Sequence, residues 1–175
     1  MTTMNQPEQV MPAVLQELHT LGFNYAGGEG IDFEPYSTFL SEEQTRFWIR
    51  AWTGNKELDG TEYRVFGKDG TGGYAAFWLT RPGEDLLGQP IVFFGSEGEI
   101  GVVAANFSEY LWLLAGGIGP HEAVLFPGLN RPSDPVFTAF AERHSGTPHL
   151  GPWDVVVRAQ TEFPSFAQEI QAGCR

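Results

Sequence analysis

The stretch from Pro90 to Gly117, PIVFFGSEGEIGVVAANFSEYLWLLAGG, joins an apolar run, a glycine-bracketed SEGE and a second apolar segment bearing Trp112. PIVFF and IGVVAA are rich in β-branched and aromatic residues, and Gly95 and Gly98 suit the turn between them, so the pattern predicts an antiparallel hairpin. Asn106 followed by Glu109 is a capping pattern opening a helix over FSEYLWLLA, which Gly116 and Gly117 end. Tyr110, Leu111, Leu114 and Ala115 face one way, and Trp112 and Leu113 widen the stripe, so this helix is heavily buried.

The same design precedes it. TEYRVFG alternates, GKDGTGG turns and YAAFWLT is extended again, which reads as a second hairpin over residues 61–80. PGEDLLGQP connects the hairpins, with Leu86 and Leu87 turned inward. Four strands in two hairpins make a sheet that must bury one face against helices.

Farther toward the N-terminus, Ser41 and Gln44 form a capping-box pattern with Glu42 and Glu43 in the first turn, and Gly54 and Asn55 end that helix. Its three bulky aromatics, Phe47, Trp48 and Trp52, read as core anchors. An earlier helix is indicated by Val10, Val14, Leu18 and Leu21, with Pro12 as its first residue and Gly22 as its stop. A short extended piece is expected around Ile31 to Phe33. Beyond the central stretch, a short turn is expected at His121 to Val124, and Pro135 opens a helix over FTAFAERH. Residues 152–163 fit both helical and alternating spacing; helix is favoured, broken before Pro164 and resumed by PSFAQEIQ. The expectation is a single α+β domain over residues 1–175, with an antiparallel or mixed sheet of at least four strands flanked by helices.

With 42% hydrophobic and 14% aromatic residues, a chain of 175 residues can bury a proper core. No run of apolar residues is long enough to cross a membrane. The start, MTTMNQPEQV, lacks the basic and apolar regions of a secretory signal, and Cys174 is the only cysteine, so a cytoplasmic protein is expected. The formal charge is −12. No Lys or Arg lies between Arg81 and Arg131, where Glu84, Asp85, Glu97, Glu99, Glu109 and Glu122 sit. That field repels phosphate backbones, which argues against direct nucleic-acid binding, and it would steer a basic protein partner instead.

Chemistry finds little support in the motifs. Glu97 and Glu99 flank a turn, and exposed carboxylates at a loop tip have nothing to shift them toward general acid or base work. GKDGTGG lacks the Gly-Lys-Ser/Thr and the following helix of a phosphate loop. His19, His121, His144 and His149 are scattered, with no HExxH or CxxC beside them. Ser96 lacks a GxSxG context, and Cys174 lies at a chain end. No catalytic, cofactor-binding or metal residues are assigned. The residues expected to face a partner are Glu84, Asp85, Glu97, Glu99 and Glu122.

DGTGGYAAFWL together with QPIVFFGSEGEIGVVAANFSEYLWLLAGGIGPHEA strongly resembles the SMI1/KNR4 (SUKH) superfamily, over residues from about Gly67 to Ala123. The marks are a glycine turn before an aromatic-rich strand, the PIVFFGSEGE hairpin, a short return strand and the LLAGG helix end. EFPSFAQEI is similar to the family's Pro-Asp-Phe-type tail, except that Ser165 stands where an acid is usual. The resemblance implies an α+β binding domain without a general catalytic motif or cofactor. Many bacterial members look like immunity proteins that block a cognate toxin, often a nuclease. Fungal relatives look like regulatory scaffolds, which keeps that alternative open beside a hydrolase assembled only by the fold.

Overall fold

The computed structural model describes residues 10–175, so nearly all of the MTTMNQPEQV start lies outside the described residues. Five strands form one antiparallel sheet in chain order: β1 (Glu34–Pro35), β2 (Tyr63–Lys68), β3 (Tyr74–Trp78), β4 (Ile91–Phe94) and β5 (Ile100–Ala104). The helices are α1 (Ala13–Leu18), α2 (Glu42–Thr53), α3 (Phe107–Ala115), α4 (Pro120–Leu125), α5 (Pro135–His144), α6 (Pro152–Glu162) and α7 (Phe166–Ala172). The fold is α+β.

Both hairpins form as the alternation requires, with Tyr63 opposite Trp78 and Phe94 opposite Ile100. The extended piece before them pairs just beyond the Ile31 to Phe33 that the sequence suggests, as β1, with Glu34 opposite Lys68. The expectation of one buried sheet face is too small. Phe66, Phe77, Phe93 and Val103 pack on one side against α1, α3, α5 and α6. Val65, Ala76, Val92 and Phe94 pack on the other against α2, α7 and the C-terminal part of α6. The strands therefore read as near-continuous apolar runs, because a sheet covered on both faces needs no polar side.

Local signals place the helix ends. Ser41 and Gln44 make the reciprocal capping box at α2, with Gln44 N 3.1 Å from Ser41 Oγ, and Gly54 caps the other end in a left-handed conformation. Asn106 Oδ1 accepts from Glu109 N at α3, and Asp134 accepts from Val136 N and Phe137 N ahead of Pro135 at α5. The ambiguous segment is helical over Pro152–Glu162, with Phe163 as its C-cap ahead of Pro164, which cannot donate to it.

Two sequence expectations fail for reasons of packing. The buried residues are Leu15 and Leu18 of α1 and Met11 ahead of it, while Val10 is exposed, and Pro12 is the N-cap rather than the first helical residue. In α2 Trp48 and Trp52 pack edge-on against Phe94, and Trp52 Nε1 donates to Gly95 O. Phe47 points away and is 77% exposed, because the contact face of α2 is set by Thr45, Ile49 and Thr53.

Candidate functional site

In a meander, alternate turns share an end of the sheet. The β2–β3 turn (residues 69–73), the β4–β5 turn (residues 95–99) and Glu34 lie at one end, and the β3–β4 connection lies at the other. The five acids expected to face a partner are therefore separated. Glu97 and Glu99 sit at the first end; Glu84 and Asp85 are exposed at the second, across a strand rise of about 10 Å along β4. The second group belongs to a loop built around buried Gln89, whose Oε1 accepts from Thr80 N and Arg81 N and whose Nε2 donates to Arg81 O and Glu84 O.

Glu122 is a correction. It is only 2% exposed, and so is no surface contact. Its Oε1 accepts from Gly119 N at the start of α4, and its Oε2 accepts from Asp32 N. A buried carboxylate must find donors, and these two backbone groups supply them. Glu109 is withdrawn in the same way, buried against the forked guanidinium of Arg158 at 3.1 and 3.2 Å.

Around Glu122 the fold gathers a polar cluster that residue spacing does not reveal. Asp69, 1% exposed, accepts at Oδ1 from Thr71 N, Thr71 Oγ1 and Gly73 N. Its Oδ2 accepts from His121 Nδ1 at 2.6 Å, across 52 positions of sequence. A Cβ on Gly73 would meet the Phe93 ring at 2.6 Å, so the loop can wrap Asp69 this tightly only with glycine there. Asp32 Oδ2 stands 3.9 Å from His121 Nε2, while Asp32 Oδ1 accepts from Gly70 N. Phe93 and Phe126 close edge-on around the imidazole.

The electrostatics follow from these contacts. The Asp69 hydrogen bond, opposed by burial and helped by the charges of Glu122, Asp69 and Asp32, raises the His121 pKa above its ordinary value. Burial pushes Asp69 upward, but the hydrogen bonds from His121, Gly73 and Thr71 outweigh it and hold the carboxyl at about 2. Both shifts favour the charged forms, an imidazolium beside a carboxylate.

Ser96 Oγ donates to Thr71 Oγ1 at 3.0 Å, so a chain runs Ser96–Thr71–Asp69–His121. This is not a nucleophile–base–acid relay. A general base needs its hydroxyl partner on the imidazole nitrogen opposite the carboxylate. Here both hydroxyls lie on the Asp69 side, and the second nitrogen faces another carboxylate, Asp32. The chain joins the two turns instead, and so places Glu97 beside the β2–β3 turn. Next to it opens a cleft of about 450 Å³ bordered by Phe23, Tyr25, Asp32, Glu34, Gly70 and Thr71.

Among the other histidines, His19 donates from Nδ1 to Tyr36 O and stacks on Phe66, and its burial lowers its pKa. His144 meets Glu17 at 3.1 Å, and His149 packs on Trp112. Among the described residues no group of His, Cys, Asp and Glu is arranged to hold a metal ion, and no helix is long and apolar enough to cross a membrane. Set against family models, curated proteins and solved structures, the chain matches none of them.

Proposed function

We propose that this chain is a non-catalytic binding protein of the SMI1/KNR4 type. It acts as a cytoplasmic immunity protein that neutralises a basic, nuclease-type toxin by direct contact. The observation that supports this reading best is the collection of Asp32, Glu34, Glu97 and Glu99 around the turn end of the sheet, beside the cleft. Among the described residues, Lys68 stands 3.8 Å from Glu34 and His121 3.9 Å from Asp32, and no ion pair joins Glu97 or Glu99. Carboxylates on adjoining turns form a surface that attracts cationic side chains and competes with a phosphate backbone for them. Glu84 and Asp85, at the far end, would contribute only to long-range steering.

Growth rescue tests the reading. A basic toxin encoded beside this chain is expressed with and without it, and the two are then co-purified. Rescue with a stable complex is the expected result. The double substitution Glu97→Gln, Glu99→Gln should then slow association at low salt and flatten its salt dependence. Toxicity without rescue or complex would overturn the proposal, and the scaffold reading would replace it.

A further inference from the structure

The outer face of α2 reverses the chemistry of the rest of the molecule. Phe47 is the most exposed large apolar side chain among the described residues. A hollow of about 370 Å³ on one side of it is bordered by Arg46, Arg50 and Arg64. A shallower one of about 570 Å³ is bordered by Arg46, Phe47, Arg50 and Lys56. Four of the chain's ten cations thus meet at one helix, against three of its twenty-two acids, Glu42, Glu43 and Asp59.

Those three acids have local duties. Glu42 and Glu43 occupy the first turn of α2, where negative charge complements the helix dipole. Asp59 accepts from Thr61 N and Thr61 Oγ1, and the Thr61 backbone bond leads the causes that lower its pKa. Of the cations, Arg46, which feels the charge of Asp59, and Arg50 are the less committed. Arg46 and Arg50 stand four residues apart on one helix, a like-charge spacing that costs stability unless an anion lies between them. Arg50 donates from Nε to Leu58 O and borders the hollow. Arg64, 5% exposed, forms part of the wall and is held by the Thr61 and Tyr63 carbonyls. Three cations elsewhere are bound within the protein: Arg81 on Glu162, Arg158 on Glu109, and Arg131 on the carbonyls of Gly28 and Gly30.

We infer that the outer face of α2 is a second docking surface, which takes an acidic segment of a partner protein carrying an apolar residue. Carboxylates enter the hollow beside Arg46 and Arg50, and the apolar side chain lies on Phe47 next to Arg46, Arg50 and Lys56. Charge complementarity selects this occupant: guanidinium groups pair with carboxylates through paired N–H donors, and an exposed ring between cations makes an anchor of the kind that dominates binding energy. The inference is independent of the acidic end of the sheet, because it rests on different residues and the opposite charge.

The test uses the whole chain and a fluorescein-labelled peptide of alternating glutamate and leucine, followed by fluorescence anisotropy at low ionic strength. Arg46→Glu with Arg50→Glu, and separately Phe47→Ser, should each weaken binding by roughly ten-fold or more. All three side chains are outside the core, so circular dichroism should show both variants folded. A lysine-for-glutamate peptide should not bind this face. Equal affinity for the double variant and the unchanged protein would overturn the inference. Displacement of the peptide by pyrophosphate with no effect of Phe47→Ser would overturn it in favour of a small-anion pocket. Self-association lost in the double variant would overturn it in favour of a second copy of the chain.

Discussion

At the β2–β3 turn Asp69 takes up His121, Thr71 and Gly73, and Glu122 takes up two backbone amides; on the outer face of α2, Arg46 has no hydrogen-bond or ion-pair partner among the described residues. Both regions are polar and both are built on turns or helix starts. The first lies under Phe93 and Phe126, where an unpaired charge would be costly, so its groups are consumed in holding α4 and the Asp32 segment to the sheet. The second is open to water, where a charge needs no partner to persist. Polar residues that are fully satisfied report on architecture; those left unsatisfied at the surface are the ones that can be offered to another molecule.

The largest test of this contrast is Asp69→Ala. It strands the His121 cation and the Gly73 amide in the interior, and urea unfolding should show a loss of about 3–5 kcal/mol. A loss no larger than that of a surface substitution would remove the distinction between the two regions.

A smaller test follows pH. Folded His121 holds its proton more tightly than the unfolded chain does, where the value is 6.5. Its contribution is therefore complete below that value and is lost as pH rises through the higher folded pKa. The stability gap between the unchanged protein and His121→Gln should be widest in mild acid and should narrow as the solution becomes alkaline. His19 works in the opposite sense: burial lowers its pKa, so its contribution is present above 6.5 and is lost as pH falls. Thermal melts of His121→Gln and His19→Gln across pH should thus diverge in slope. Parallel slopes would mean that the Asp69–His121 pair is not ionised.

The smallest expected effects are at the exposed sites. Phe47→Ser, and Glu97→Gln with Glu99→Gln, should each alter stability by no more than about 0.5 kcal/mol, because neither change opens a cavity or strands a buried group. A larger loss on unfolding would assign those residues to the fold rather than to a partner.

Much of the architecture is local and was therefore readable along the chain. Capping at Ser41 and Asn106, the helix opening at Pro135, the turns at Gly72 and Gly98, and the apolar strands are decided by residues within a few positions of one another. The candidate site was less legible. Glu97 and Glu99 are exposed or half-exposed at the tip that the glycines predict, but Glu122 stands in an acidic run that gives no sign of burial. Only its place three residues after Gly119, ahead of Pro120, hinted at a helix start that its side chain could cap.

The sequence by itself determined the α+β class, the two hairpins, the positions of most helix ends and the surplus of negative charge. Tertiary structure alone decided which acids are lost to the interior, that Asp69 and His121 meet, and that Phe47 is exposed while Trp48 beside it is packed. The division has one physical cause. Backbone propensity and net charge are properties of short segments or simple sums, whereas desolvation depends on what the rest of the chain lays over a residue. Seven acids between Arg46 and the N-terminus look alike in sequence, but only the fold makes Asp32 a neighbour of His121 and leaves Glu43 in water.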